Sequence, residues 1–157
     1  MRDTSRSPGS RDLGVREMFV TATSPTSTLA SSLTSELLAH TLRPNVLIVG
    51  PVAKSEATVA AIVGALSTPV RNWTPDLPLP SPADATTIVI RDIATLSLSF
   101  QQAWLARLNA PHARHQQIIT TSSIAVFPLV ARGVFLEELY YRLNTVLLDV
   151  RKSGSGE

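Results

Sequence analysis

A glycine followed closely by a lysine and a serine is the first place where this sequence could do chemistry. Gly50, Lys54 and Ser55 lie between the apolar run VLIV and an Ala-rich stretch. A phosphate-binding loop joins a strand to a helix in this way, because several backbone N–H groups must converge on phosphate while a lysine holds the outer oxygens. Pro51 removes one N–H donor, and Ala53 stands where such a loop carries glycine. The Lys-Ser pair is therefore not specific for phosphate, and an ordinary surface lysine also satisfies it.

The elements around this segment follow from alternating apolar and helical patterns. Short runs, all but VRNW at 70–73 rich in Val, Ile, Leu or Thr, predict strands at 46–49, 70–73, 87–90, 117–121 and 145–148. Amphipathic or Ala-rich stretches predict helices at 29–42, 56–66, 99–109 and 136–143, and the prolines between 75 and 82 predict a loop. Strands that alternate with helices favour a parallel sheet with right-handed crossovers. The expected fold is α/β, a three-layer α/β/α core around a mainly parallel five-stranded sheet.

The distribution of polar residues predicts one core domain between two tails. Residues 1–28 are rich in Ser, Thr, Arg, Pro and Gly, and such a segment cannot bury enough apolar surface to offset its ordering entropy. We expect residues 1–28 and 151–157 to be flexible tails and residues 29–150 to form the core domain.

Three segments carry a resemblance to a known family. The block 133–144, GVFLEELYYRLN, resembles the Gly-x-Phe-Arg-Glu-Asp-Leu-Tyr-Tyr-Arg-Leu-Asn block of the sigma-54 activator branch of the AAA+ ATPases. The segment 87–101, TIVIRDIATLSLSFQ, resembles that family's Thr-Leu-Phe-Leu-Asp-Glu-Ile-Gly-Glu-Leu-Ser-Leu-x-Leu-Gln. The segment 118–123, IITTSS, resembles its Ile-Ile-Ala-Ala-Thr-Asn. The resemblance covers about residues 29–150 and implies a P-loop NTPase fold, with ATP and Mg²⁺ as the family's ligands.

The phosphate-binding loop of the family aligns with this chain in two registers. Without a gap, the family's lysine position becomes Glu56, which would repel phosphate. In the second register, Lys54 and Ser55 are aligned with the family's lysine, and the loop is then two residues too short to wrap around phosphate. If nucleotide binding is retained, the resemblance assigns it to Gly50, Lys54, Ser55 and Asp92.

The other positions where the family does its chemistry also differ. Arg91 replaces the aspartate associated with Mg²⁺, and an arginine cannot ligate a divalent cation. Asp92 replaces the glutamate that polarises the attacking water, and Ser123 replaces the asparagine that senses the nucleotide. We therefore interpret the catalytic positions Arg91, Asp92 and Ser123 as degenerate, since none of them keeps the residue type that the family uses. An Arg91–Asp92 pair that simply faces solvent at a strand end is the plainer alternative.

The resemblance also implies an interaction surface. In the family, two arginines of the block that aligns with residues 133–144 reach across a subunit interface. The first corresponds to Leu136 here and the second to Arg142. Glu137, Glu138 and Tyr141 lie on the same predicted helix and complete the expected partner surface. The family's Gly-Ala-Phe-Thr-Gly-Ala loop and helical lid have no counterpart in this sequence, which implies that the contact with sigma factor is not made.

Composition excludes several other classes of protein. The chain has no Cys, so disulfides, thiol catalysis and Cys-type zinc sites are excluded. Its formal net charge is only +2 and its Arg residues are scattered among acidic ones, so we do not expect a nucleic-acid surface. No apolar run reaches membrane-spanning length, and we expect a cytoplasmic protein with no metal site.

The leading hypothesis is a catalytically silent AAA+ core that binds another protein, either an AAA+ partner or itself, without a cofactor. The alternative is a residual ATP-binding or slow ATPase domain related to transcription regulation.

Overall fold

The computed structural model describes residues 43–82, 86–111, 113 and 116–152. Five strands form one sheet: β1 (Val46–Val49), β2 (Val70–Trp73), β3 (Thr87–Ile90), β4 (Gln117–Ser122) and β5 (Val146–Asp149). Their order across the sheet is β2-β3-β4-β1-β5, and every neighbouring pair is parallel. The expected α/β fold with a five-stranded parallel sheet is confirmed.

Four α-helices connect these strands in the described part of the chain: α1 (Val52–Gly64), α2 (Leu98–Leu108), α3 (Phe127–Ala131) and α4 (Glu137–Leu143). A 3₁₀ turn at Ile93–Thr95 precedes α2. The sequence patterns predict α2 and α4 to within a residue at each end. They miss α3, because a helix of five residues is too short to show a helical period. The helix predicted at 29–42 lies outside the described residues.

The predicted start of α1 at Glu56 is wrong, since the helix begins at Val52. Pro51 precedes it with φ −56°, and the Pro51 carbonyl accepts a hydrogen bond from the Ser55 amide at 3.0 Å. Proline is readily accepted at a helix start, because its missing N–H would have no partner inside the helix. Only Gly50 and Pro51 therefore lie between β1 and α1.

Right-handed crossovers distribute the helices over both faces of the sheet. The connection from β1 runs towards β2, whereas the connections from β3 and β4 run the opposite way, so α1 lies on the face opposite to α2 and α4. Alternate residues of β1 accordingly belong to two buried clusters. Val46 and Ile48 pack with Val59 and Ile62 of α1, and Leu47 and Val49 pack with the larger cluster that contains Trp104 and Leu139.

Polar side chains join the strands at the amino edge of the sheet. Asn45 donates from Nδ2 to the Arg142 carbonyl at 2.8 Å, and its Oδ1 accepts from the Ile118 amide at 2.9 Å. The Gln117 amide group donates to the Pro44 carbonyl at 3.0 Å. One asparagine thus ties the start of β1 both to β4 and to the end of α4.

None of the helices in the described part of the chain is long and apolar enough to cross a membrane.

Candidate functional site at the carboxyl edge of the sheet

The carboxyl ends of β1 and β4 form the topological switch point of the sheet. These neighbouring strands continue in opposite directions, and α/β proteins bind ligands in the crevice that such a divergence opens. The Gly50 amide donates to the Ser122 carbonyl at 3.0 Å and joins the two strand ends. The fold therefore brings Gly50, Asp92 and Ser123 to one edge, as the sequence predicts.

Gly50 is required at this edge for close packing. It is buried and does not have a positive φ. A Cβ at this position would lie 2.5 Å from the Val150 Cγ2 atom and within 3.2 Å of backbone atoms of Val150 and Arg151. Because its N–H already bonds to Ser122, Gly50 holds the end of β5 against β1 and has no amide hydrogen left for a phosphate.

Lys54 and Ser55 lie in the first turn of α1 and differ in exposure. Ser55 is 2% exposed, and its hydroxyl donates to the Gly50 carbonyl at 3.2 Å. Lys54 is partly exposed, and its carbonyl accepts from the Thr58 hydroxyl at 2.9 Å. The Ser55 hydroxyl therefore fixes the tight turn between β1 and α1.

Arg91 forms a bidentate ion pair with Glu56. Its Nε donates to Glu56 Oε1 at 2.7 Å and its Nη2 to Glu56 Oε2 at 3.1 Å, while Nη1 donates to Asn72 Oδ1 at 2.6 Å. Arg91 is therefore paired with Glu56, in the second turn of α1, rather than with the adjacent Asp92. The hydrogen bonds from Arg91 lower the pKa of the Glu56 carboxyl below its ordinary value, and those to Glu56 raise the pKa of Arg91.

The signs of this pair are the reverse of those implied by the resemblance. The family has a lysine where the ungapped alignment places Glu56, and an aspartate where this chain has Arg91. Here the acid lies on the helix and the base at the strand end, only 2.7 Å apart. Exchanging both charges together preserves an attractive contact between α1 and β3.

Asp92 adopts a left-handed backbone conformation with φ +49° and ψ +58°. Its amide donates to the Thr121 hydroxyl at 3.1 Å, and its carbonyl accepts from Thr95. Its Oδ1 atom is buried and accepts no hydrogen bond from the described residues. A left-handed non-glycine residue with an unpaired buried oxygen is strained, and such strain is concentrated at functional sites in proteins.

Ser123 is exposed at the end of β4, next to a serine that is already engaged. The Ser122 hydroxyl donates to the Ile124 carbonyl at 2.6 Å and accepts from the Ile124 amide at 3.3 Å. No hydrogen bond joins the Ser123 hydroxyl to another described residue. Ser123 and Asp92 therefore share an edge without forming a catalytic pair.

The predicted partner surface forms the outward side of α4. Glu137, Glu138, Tyr141 and Arg142 are exposed, whereas Leu139 and its buried neighbours face the core. The Arg142 Nη2 atom donates at 2.6 Å to the side-chain oxygen of Asn109, the C-cap residue that follows α2. The interface arginine expected from the resemblance is accessible, but it is held by its own chain.

The sequence patterns by themselves do not reveal Gln101, which organises the loop before α4. This buried side chain donates to the carbonyls of Leu96 and Val134 at 2.9 and 3.2 Å and accepts from the Leu136 amide at 2.9 Å. A polar residue on a helix ordinarily predicts a solvent-facing position. The available signal was the glutamine that the aligned segment 87–101 shares with the family.

Arg107 performs a comparable task on the proline-rich connection between β2 and β3. This arginine is 7% exposed and donates to the carbonyls of Pro80 and Ser81 and to the side chain of Gln116. The described part of the connection contains no helix or strand, as its prolines predict. Backbone carbonyls of this connection are thus bonded directly to α2.

Taken together, these residues do not fit a magnesium triphosphate. The turn of two residues leaves no loop of converging N–H groups, and a guanidinium lies where the family places its metal-binding carboxylate. Within the described ranges, no three His, Asp or Glu side chains are grouped closely enough to hold a metal ion.

Comparison with solved structures finds the same fold in other proteins, one of which was solved with ATP and with ADP. NtrX from Brucella abortus in complex with ATP matches with a TM-score of 0.65 at 18% identity, over 87% of this chain and 39% of NtrX. The same protein in complex with ADP matches with a TM-score of 0.62 at 19% identity, over 80% of this chain and 36% of NtrX. Domain III of the replication initiation protein DnaA from Thermotoga maritima matches with a TM-score of 0.58 at 16% identity, over 87% of this chain and 66% of that domain.

This chain therefore spans well under half of the length of NtrX, and identities below 20% show the likeness of the fold alone. Among curated protein sequences, none matches this chain. The family model for the sigma-54 interaction domain matches residues 20–152. Since that match covers most of the chain, the chain belongs to the sigma-54 interaction domain family, with the fold of the AAA+ P-loop NTPases.

Proposed function

We propose that this domain is a catalytically silent member of the sigma-54 interaction family and that it acts through protein–protein contacts as a regulatory module. The Glu56–Arg91 ion pair is the observation that carries this proposal. It joins α1 to the end of β3 with two charges that compensate each other. A bound triphosphate with Mg²⁺ would need the opposite signs at these two positions.

Other contacts at the same edge support the proposal. The Gly50 amide and the Ser55 hydroxyl are both used inside the chain, and Gly50 packs directly against Val150. A hydrophobic frame that remains intact around an altered site is expected of a protein whose remaining activity lies in its surface. The accessible side of α4 offers such a surface, and an AAA+ protein or a second copy of this chain is the partner we consider first.

Residual ATP binding is the alternative function. Its support is that the solved structure of NtrX, which shares this fold, contains ATP. Lys54 and Asp92 would be the residues left to serve it. The short turn between β1 and α1 argues against tight binding.

Calorimetry and thermal unfolding with ATP and MgCl₂ separate the two functions. We expect neither heat of binding nor a shift in unfolding temperature at millimolar nucleotide. A ligand present at one hundred times its dissociation constant would stabilise the fold by about 2.7 kcal/mol, and a shift of that size would refute the proposal.

The double variant Glu56→Lys/Arg91→Asp sharpens the same measurement. It restores the signs that the resemblance implies while keeping an ion pair between α1 and β3. We expect this variant to fold and still not to bind ATP, because the two-residue turn is unchanged. ATP binding by the variant would show that the charges alone had prevented it.

A further inference from the structure

Four of the exposed large hydrophobic side chains of the described residues lie on the connection from β4 to β5. Ile124 and Phe127 follow β4 and are 51% and 53% exposed, and Tyr141 on the outward side of α4 is 56% exposed. Val134, on the same connection, is also exposed, whereas Val52, Leu77 and Leu98 lie on other connections. Exposed apolar side chains that group on one surface are a mark of an interaction site.

Ring contacts link Phe127, at the start of α3, to Tyr141 on α4 through the buried ring of Tyr140. The Phe127 and Tyr140 ring centroids are 5.9 Å apart, and the Tyr140 and Tyr141 centroids are 5.3 Å apart. Ile124 lies three residues before Phe127, outside α3. We call the surface formed by Ile124, Phe127, Tyr141, Glu137 and Glu138 the aromatic–acidic patch.

The acidic part of the patch is not neutralised by the described residues. Glu137 and Glu138 precede Tyr141 by four and three residues on α4, so all three lie on neighbouring positions of one helix surface. Arg142 could reach Glu138 by the same spacing, but its guanidinium bonds to Asn109 instead. Neither glutamate forms an ion pair with a described residue, and two carboxylates therefore border an exposed aromatic surface.

We infer that the aromatic–acidic patch binds a basic amphipathic segment of a partner protein. Apolar side chains of that segment would cover Ile124 and Phe127, while its Lys or Arg side chains would pair with Glu137 and Glu138 and lie over the Tyr141 ring. Carboxylates beside an exposed aromatic face favour a cation, because the charge and the ring quadrupole attract it together.

This inference rests on the proposed function and identifies the surface and the chemistry of the partner. The probe is a fluorescently labelled helical peptide with Leu and Arg one turn apart, and a matched peptide with Glu in place of Arg is its control. Binding is measured by fluorescence anisotropy without nucleotide. We expect only the Arg peptide to bind, and Glu137→Gln/Glu138→Gln to weaken it by about tenfold.

The matched protein control removes one apolar and one acidic side chain elsewhere. Leu77→Ser/Asp76→Asn alters the connection after β2, where both residues are exposed, and we expect its peptide affinity to equal that of the unaltered chain. Tyr141→Ser should abolish most of the binding. If that variant does not fold, the charge-neutral glutamine variant still tests the patch.

Several results would overturn the inference. The first is that the Arg peptide does not bind. The second is an equal loss of peptide affinity in the Leu77→Ser/Asp76→Asn control. The third is a dimer of this chain, detected by light scattering, in which the patch is buried. A heat of ATP binding would refute the proposed function without altering the peptide measurement, so the two failures are distinguishable.

Discussion

The two edges of the sheet are built from different kinds of contact. At the amino edge, Asn45 and Gln117 satisfy backbone groups of neighbouring segments through side-chain hydrogen bonds. At the carboxyl edge lie a glycine in close contact with Val150, a surface ion pair and a strained aspartate. The amino edge thus serves stability, whereas the carboxyl edge retains the position and strain of a site together with exposed hydrophobic side chains.

This difference shows that a residue can remain at a position where the family binds nucleotide for a physical reason unrelated to nucleotide binding. Gly50 stands where the family's loop begins, yet its missing Cβ makes room for Val150. Glu56 and Arg91 stand at charged family positions with their signs exchanged. The following predictions test whether the carboxyl edge is now a structural contact, and they run from the largest expected effect to the smallest.

Gly50→Ala should lower the free energy of unfolding by about 2–3 kcal/mol, since the new Cβ would overlap Val150 and nearby backbone. Chemical denaturation measures the change. Gly64→Ala is the matched control, because a Cβ there meets nothing within 4 Å and should stabilise the end of α1 by up to about 1 kcal/mol. Equal effects of the two substitutions would contradict a packing role for Gly50.

Asn45→Ala should cost about 1–2 kcal/mol, because the Ile118 amide and the Arg142 carbonyl would lose their partner. Asn72→Ala is the control at the opposite edge, where the exposed Asn72 side chain accepts from Arg91 alone among the described residues, and it should cost well under that amount. A larger loss for Asn72→Ala in denaturant titrations would reverse the assignment of the two edges.

Asp92→Asn should raise stability by about 0.5–1 kcal/mol, because asparagine adopts the left-handed conformation readily and replaces a carboxylate with a buried, unpaired oxygen by an uncharged amide. The same change in Asp149, which bonds to Arg151, should instead be slightly destabilising. The unfolding temperatures of the two variants provide the measurement. Destabilisation by Asp92→Asn would mean that the carboxylate is held by contacts of its own.

The Glu56–Arg91 pair should contribute less than about 1 kcal/mol in a double-mutant cycle, because both side chains are around two-fifths exposed and screened by solvent. The pKa of Glu56 is lowered in the folded chain. Its contribution is therefore fully present above the ordinary glutamate pKa of about 4.3 and is lost as pH falls through the lower folded value.

Glu56→Gln gives the pH measurement its reference. The difference in unfolding free energy between this variant and the unaltered chain should shrink in acid and should also shrink with added salt. A difference that is constant between neutral pH and strong acid would contradict the ion pair.

Much of the fold could be predicted from the sequence, because most of the strands are compact runs of apolar or β-branched residues between turn-forming residues. The runs beginning at Val46 and Thr87 are buried at every position, as a strand covered on both faces requires. The short α3 and the early start of α1 could not be predicted in this way. Their boundaries depend on single prolines and on tertiary packing rather than on a repeated pattern.

The sequence by itself determined the α/β class, the family and the substitutions at its catalytic positions, because these are properties of local pattern and residue type. Only the tertiary structure decided what the substituted residues contact. Arg91 bonds to Glu56 rather than to adjacent Asp92, and Gly50 faces Val150 from the far end of the described chain. Such partners are distant in sequence, and they meet only because parallel strands bring their carboxyl ends to one edge.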